Sequence, residues 1–376
     1  MSSYPHFLQR WRMKMRQIGE LSKELNQTFN WNKARMDCFV GMLIALLKLR
    51  SINLTELAIA LPSTAQKESR YRRIQRFICG HFLDFDKVAL FIMQLFQFLD
   101  SDFYLTLDRT NWKWGEKNIN ILMLAVVYKG VAIPIYWVLL NKKGNSSTRE
   151  RIALMKRFIR QFGQQHIISL LADREFIGGD WLKWLKSEGI GFVIRIKKDA
   201  LVPNSQGKGV QVQKLFWFLK PGEQWVIKDK RKMTGVDVYL SGLRLADGEL
   251  LIVATDLPGD NAIETYAARW QIETLFACLK RRGFNIEDTH VTNRLRIKRL
   301  LVVAVVAFCW AHRSGEWLHE NVKPIKVKTH QRLARSIFRA GLDFIREVLL
   351  NVSYSLEQAL RLIIQFIDFN KPFEVR

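Results

Sequence analysis

Tyr266–Lys280 reads YAARWQIETLFACLK, and its spacing decides how the rest of the chain is understood. At about 100° per residue, Tyr266, Arg269, Glu273 and Lys280 fall within about 60° of one another on a helix. Ala268, Ile272, Leu275 and Leu279 cluster on a different side, so the helix has an apolar stripe to bury while a Tyr-Arg-Glu-Lys row faces something else. That something must accept both signs of charge. A carboxylate suits a hard divalent cation, and an Arg and a Lys on either side of it suit the phosphates of a nucleic acid. In isolation the pattern also describes a solvated helix face, with Arg269 and Glu273 as an ordinary i, i+4 pair. Partner carboxylates elsewhere in the chain decide between the two.

Composition narrows the partner. The 376 residues are 48% hydrophobic and suffice for two or three domains with their own cores. A formal net charge of +24 calls for a polyanion. The basic residues are spread along the chain with no polybasic block beside an anchor, which favours nucleic acid over a membrane surface. Cys38, Cys79, Cys278 and Cys309 are scattered, without metal-type spacing, and read as reduced core residues. MSSYPHFLQRWRMKMRQ at the start lacks a signal-type apolar core, and the longest apolar run, Leu300–Ala311, is too short to span a bilayer. The expected location is the cytoplasm, on the nucleoid when DNA is bound, with no membrane partner.

Residues 1–100 are helical in pattern. NLTELAIAL, a Pro62-Ser63-Thr64 break and KESRYRRIQRFICG form two short helices, the second carrying Arg70, Arg72, Arg73 and Arg76. This is the outline of a helix-turn-helix with a basic recognition helix, on which Arg72 or Arg73 is expected to read a base edge, and equally of a bundle with one basic solvated face. From about residue 101 strands take over. FYLTLD ends in Asp108, RTNWKWGEKN reads as a turn, and INILMLAVVYKG and VAIPIYWVLL form a hairpin around Lys129-Gly130. A helix from about Ser147 to Phe162 precedes the strand HIISLLAD, which ends in Asp173, and a helix near Trp181–Ser187 precedes FVIRIK. The result is an α/β layer architecture, in which functional residues gather beyond the carboxyl ends of strands. A β-rich insertion is expected at about 198–256, with KLFWFLK, EQWVIKDKR, VDVYLSGL and ELLIVATD as its strands. Beyond about 290 the chain is helical again, with a long buried helix in RLRIKRLLVVAVVAFCWAHR and at least two more between about Lys328 and Ile367.

Asp108, Asp173 and Glu273 are therefore three carboxylates delivered by three elements. Phosphoryl transfer on DNA asks for such a set, because two divalent ions about 3.5–4 Å apart must be clamped by shared carboxylates. Hard Mg²⁺ takes oxygen ligands, so no His or Cys is needed. Taken singly, either aspartate is equally a strand-end turn former.

The Y-x2-R-x3-E-x6-K spacing of Tyr266, Arg269, Glu273 and Lys280, preceded by YLTLDRTNW and LLADREF, resembles the DDE transposases of insertion sequence family four across nearly the whole chain. The resemblance implies a ribonuclease-H-like catalytic core at 101–290, interrupted by the β-rich insertion and flanked by helical regions at 1–100 and 291–376. It implies Asp108, Asp173 and Glu273 as catalytic metal ligands for Mg²⁺, with Mn²⁺ as a substitute, and Tyr266, Arg269 and Lys280 on the DNA end. It also implies cut-and-paste transposition of an element bounded by inverted repeats, on double-stranded DNA as element end and target, by a homodimer in the DNA complex. Two rivals remain: a non-catalytic DNA-binding regulator and a stand-alone nuclease of the same fold. Some relatives stack a tryptophan of the insertion on a flipped base, and here Trp217 and Trp225 are expected instead to be core residues.

Overall fold

The structure, a computed structural model, describes residues 19–80, 83–259, 261–329 and 333–350. Five helices come first: α1 (19–29), α2 (Lys33–Leu49), α3 (Leu54–Ala60), α4 (Lys67–Gly80) and α5 (Phe85–Leu95). After them come β1 (Phe103–Trp114), β2 (Lys117–Tyr128), β3 (Val131–Leu139), α6 (Thr148–Phe162), β4 (Ile167–Ala172), α7 (Gly179–Ser187) and β5 (Phe192–Arg195). Next are β6 (Leu201–Pro203), β7 (Gly209–Gln211), β8 (Gln224–Met233), β9 (Val236–Arg244) and β10 (Leu250–Thr255). Helices α8 (Ala262–Ala267), α9 (Trp270–Leu279), α10 (Arg294–Trp317) and α11 (Ile337–Leu350) complete the described elements.

Local chemistry places several of these boundaries. Ser147 and Glu150 form a reciprocal capping box at the start of α6. Lys129 and Gly130, with φ of 43° and 89°, supply the two left-handed residues that a tight β2–β3 hairpin needs. Arg50, also left-handed at φ 59°, ends α2 by donating its N–H to the Leu46 carbonyl.

The chain divides into two compact units. One is drawn from residues up to Phe96, Lys113–Lys117 and the chain from Ala277 onward; the other from Gln97–Trp112 and Asn118–Phe276. The helices that the sequence assigns to separate N-terminal and C-terminal regions share the first unit. In it α10 packs on α11, α2 and α4. The α10–α11 crossing is backbone to backbone: a Cβ on Gly315 would lie 2.0 Å from the Ile337 carbonyl oxygen, and one on Gly341 1.8 Å from that of Ala311. Of the two or more helices expected between Lys328 and Ile367, α11 is described, and residues 351–367 lie outside the described residues.

The second unit carries an eight-stranded sheet in the order β3-β2-β1-β4-β5-β10-β9-β8. β1, β4 and β5 run parallel, and β2–β3 is an antiparallel hairpin. The five strands β3-β2-β1-β4-β5 are the ribonuclease-H-like core. Most of the insertion extends this core: β10 pairs antiparallel with β5, and β9 and β8 continue the same sheet, while β6 and β7 form a separate two-stranded antiparallel sheet. Two strand expectations are corrected. KLFWFLK is a 3-10 turn at Val212–Leu215 continuing into coil, and β1 runs on through RTNWKW instead of turning after Asp108. Beyond Leu107 that strand has lost its parallel partner β4 but remains beside β2.

Gly341→Ala is expected to lower stability by about 1–3 kcal/mol through overpacking at the helix crossing. Gly80→Ala is the control, because nothing lies within 4 Å of its Cβ position. Thermal unfolding of the two variants checks this, and equal melting temperatures would rule out the close crossing.

Candidate active site

Parallel register brings the two aspartates together. The last β1–β4 pair is Leu107 with Ala172, so Asp108 and Asp173 are the next residue on each strand. Glu273 comes from the first turn of α9. The single helix expected from Tyr266 onward is broken: α8 stops at Ala267 and α9 starts at Trp270, with Arg269 in the gap. Short i to i+3 bonds span the break, from Arg269 N–H to the Tyr266 carbonyl (3.0 Å) and from Ile272 N–H to that of Arg269 (3.0 Å). The break changes which way the row faces. Tyr266 is 1% exposed and packs in a core cluster with Leu171, Val193 and Leu251, and Arg269 is buried beside it, so these two turn inward while Glu273 stays exposed.

One guanidinium and one phenol knit the site together. Arg269, 4% exposed, donates from Nη1 to Asp108 Oδ2 (3.1 Å), from Nη2 to Glu273 Oε1 (2.7 Å) and from Nε to the Tyr266 hydroxyl (3.1 Å). The Tyr266 hydroxyl in turn donates to Asp173 Oδ1 (3.2 Å). All three carboxylates thus meet here, together with Tyr266 and Arg269 of the four-residue row. Lys280 belongs to the helical unit, where its Nζ pairs with Glu287 at 2.9 Å.

Burial pushes the Asp108 carboxyl up to about 6, against the pull of the Arg109 N–H and the Arg269 charge. It likewise pushes the Tyr266 phenol up to about 12. For Arg269 burial acts in the opposite sense, but Tyr266, Glu273 and Asp108 together outweigh it and raise the guanidinium, which stays charged. The donor set suits a hard divalent cation, since all three groups offer carboxylate oxygens. Among the described residues, however, no three acidic, His or Cys side chains converge on a common point. Asp108, Asp173 and Glu273 converge instead on the Arg269–Tyr266 pair.

Sequence reasoning missed Arg109 and Glu175, which follow Asp108 and Asp173 in the chain and join the two strand ends through their ion pair. Arg109 binds Glu175 with two parallel contacts of 2.6 Å and also donates to the side chains of Asn120 and Asn145, both at 3.0 Å, and to the Gly144 carbonyl at 2.8 Å. Arg151 donates to the Glu175 carbonyl at 2.9 Å. The available signal was a charged residue close after each aspartate, in Asp108-Arg109 and in Asp173-Arg174-Glu175.

Two further regions carry named residues. On α4, Arg70 donates to the carbonyls of Ile59 (3.0 Å) and Leu61 (3.1 Å), and Arg73 to that of Ala34 (3.1 Å). Arg72 and Arg76 are both exposed. In the insertion, Trp217 and Trp225 are 76% and 53% exposed, which overturns the core expectation for both. With KLFWFLK not a strand, Trp217 has no sheet face to bury against. It lines a cavity of about 670 Å³ with Arg174, Lys197, Lys198 and Lys214.

Residues 97–310 match the family described as the transposase DDE domain. A piggyBac transposase, solved by cryo-EM as a synaptic complex with hairpin DNA, is similar at 14% identity over 95% of this chain and 83% of that one, with a TM-score of 0.44. No curated protein matches the chain.

The Asp108 carboxyl, raised from 3.8 to about 6, has a definite stability signature. Below pH 3.8 it is protonated folded and unfolded, so it contributes nothing. Above about 6 it is ionised in both, and the full cost of burying the charge is present. With a chelator present, the stability advantage of Asp108→Asn over the parent should grow between those two values and level off above, reaching about 1–3 kcal/mol. A difference that stays flat from pH 4 to 7 in denaturant unfolding would place this titration elsewhere.

Proposed function

Because the chain belongs to the transposase DDE domain family, a match that covers residues 97–310, we propose that it binds the terminal inverted repeats of its own element and moves that element by cut-and-paste strand cleavage and strand transfer. The observation that carries this reading is the gathering of Asp108 from β1, Asp173 from the end of β4 and Glu273 from α9 around the buried Arg269–Tyr266 pair. Scattered surface carboxylates would not require such a countercharge. We further assign the chain to insertion sequence family four on its Tyr266-Arg269-Glu273-Lys280 spacing.

Asp108, Asp173 and Glu273 are the residues that would hold Mg²⁺, with Mn²⁺ as substitute. When bound, such ions lower the pKa of the attacking water and neutralise charge at the leaving oxygen. The chain's own residues do the rest. The Arg109–Glu175 pair fixes the strand ends that carry the aspartates, and burial of Asp108 keeps bulk water from its carboxylate. Arg269 holds a phosphate near the scissile bond by its planar fork, and Lys280 contacts DNA from the helical unit. Arg72 and Arg76 on α4 are presented to the duplex, while Arg70 and Arg73 tie that helix to its own unit. The cationic cavity beside Trp217 begins at Arg174, the residue after Asp173, and supports a DNA path leading away from the carboxylates. A homodimer acting on the nucleoid completes the proposal.

The test uses the full chain and duplex DNA from either side of its own gene. The parent should release the element end and join it to target DNA in Mg²⁺. Asp108→Asn, Asp173→Asn and Glu273→Gln should each lose both steps and still retain end binding, because an isosteric amide removes charge but little surface. Cleavage without joining would make the protein a nuclease, and binding alone a regulator.

Arg72→Ala and Arg76→Ala should each reduce the slope of log affinity against log salt by about 0.9 for a lost phosphate contact. An unchanged slope in both, measured by anisotropy titration at several salt concentrations, would take α4 out of the interface.

A further inference from the structure

The three carboxylates are satisfied by the protein's own cation. Nη1 of Arg269 takes Asp108 and Nη2 takes Glu273, while Nε takes the Tyr266 hydroxyl that holds Asp173. Every nitrogen of the guanidinium is engaged within the site, and its side chain is 5% exposed. Two positive groups cannot share one set of acceptors at this range, since like charges in a partly dehydrated site repel strongly. A divalent ion and this guanidinium are therefore competitors for the same oxygens.

The backbone allows the competition to be resolved by movement. Arg269 lies in the break between α8 and α9, outside the continuous hydrogen-bond ladder of either helix. The Glu273 side chain is 57% exposed, so one of the two carboxylate anchors opens directly to solvent. A DNA phosphate offers the guanidinium two oxygens in the fork geometry that suits its paired N–H groups.

Resting on the transposase reading above, we propose that Arg269 is an internal counter-cation: it occupies the carboxylate set in the DNA-free protein, opposes divalent-metal binding there, and is drawn onto a phosphate when a DNA end docks. Metal loading is thereby coupled to DNA binding. The coupling is reciprocal, so a DNA end raises metal affinity by the same factor as metal raises affinity for the end.

The experiment measures Mn²⁺ binding to the full chain by calorimetry, without DNA and then with a pre-cleaved end duplex. Without DNA, Arg269→Gln should bind Mn²⁺ at least about fivefold more tightly than the parent, within the usual range of coupled sites. Tyr266→Phe, which removes the hydroxyl anchor but keeps the buried ring and all three carboxylates, should shift affinity the same way. With the end duplex the parent's affinity should rise by a similar factor and that of Arg269→Gln should not. Mn²⁺ affinities in Arg269→Gln and Tyr266→Phe equal to or weaker than the parent's overturn the inference, as does a parent affinity that DNA leaves unchanged. Asp173→Asn separates the two levels of the argument. If it loses Mn²⁺ while Arg269→Gln gains none, the carboxylate set is a metal site and Arg269 is not its gate. If it binds Mn²⁺ as the parent does, the metal-ligand reading falls and the gate with it.

Discussion

Three carboxylates held in one place must have a positive charge among them. Two like charges within about 4 Å repel by roughly 4 kcal/mol at intermediate polarity, and burial adds to that cost. In this protein the charge comes from Arg269, and much of the surrounding architecture serves to keep it there. The helix breaks so that Arg269 can turn inward, and Tyr266 sits in the apolar cluster with only its hydroxyl reaching the site. The parallel β1–β4 register sets Asp108 and Asp173 side by side against it. The residues just after the aspartates make a second pair, Arg109 with Glu175, which ties the two strand ends to each other.

What could be read in the chain without coordinates depends on how local the cause is. Asp108 and Asp173 stood out because each comes directly after an apolar run, and the hairpin at Lys129-Gly130 and the capped start of α6 are written in adjacent residues. The spacing of Tyr266, Arg269 and Glu273 named the right side chains for a reason only half correct. Helical periodicity put them on one face, but it could not show that the helix breaks between Ala267 and Trp270, because no Pro or Gly marks that break. The break arises from burial of Tyr266 and from bonds to strand ends more than 90 positions away in sequence. The Arg109–Glu175 pair spans 66 positions and is equally invisible to a local pattern. KLFWFLK has the composition of a strand, yet its neighbours leave it a turn with Trp217 in the open, so tertiary context overrode propensity there.

The large positive charge is not one patch. Some arginines are internal ties, as Arg70 and Arg73 are to backbone carbonyls and Arg195 is to Glu249. Others remain presented to solvent, including Arg72 and Arg76 on α4 and the lysines beside Trp217. Counting basic residues therefore overstates the surface available to a polyanion. The distinction between tying and presented arginines lies in hydrogen bonds that sequence alone does not reveal.

The division of the chain also sets an order of events during synthesis. Apart from the tip of the β1–β2 hairpin, the sheet-bearing unit is one uninterrupted run from Gln97 to Phe276, whereas the helical unit needs chain from both sides of it. At about 5–20 residues per second on the ribosome, domains close in the order in which they emerge. The sheet can be complete while the buried face of α2, with Phe39, Leu43 and Leu46, still waits for α10 and α11. That wait covers about 250 residues to the start of α10 and about 300 to the end of α11, or on the order of ten to sixty seconds, during which an apolar helix face must be shielded from other nascent chains. The basic helix α4 is thus made early and finished late, and the carboxylate site is the first part of the molecule that can take its final form.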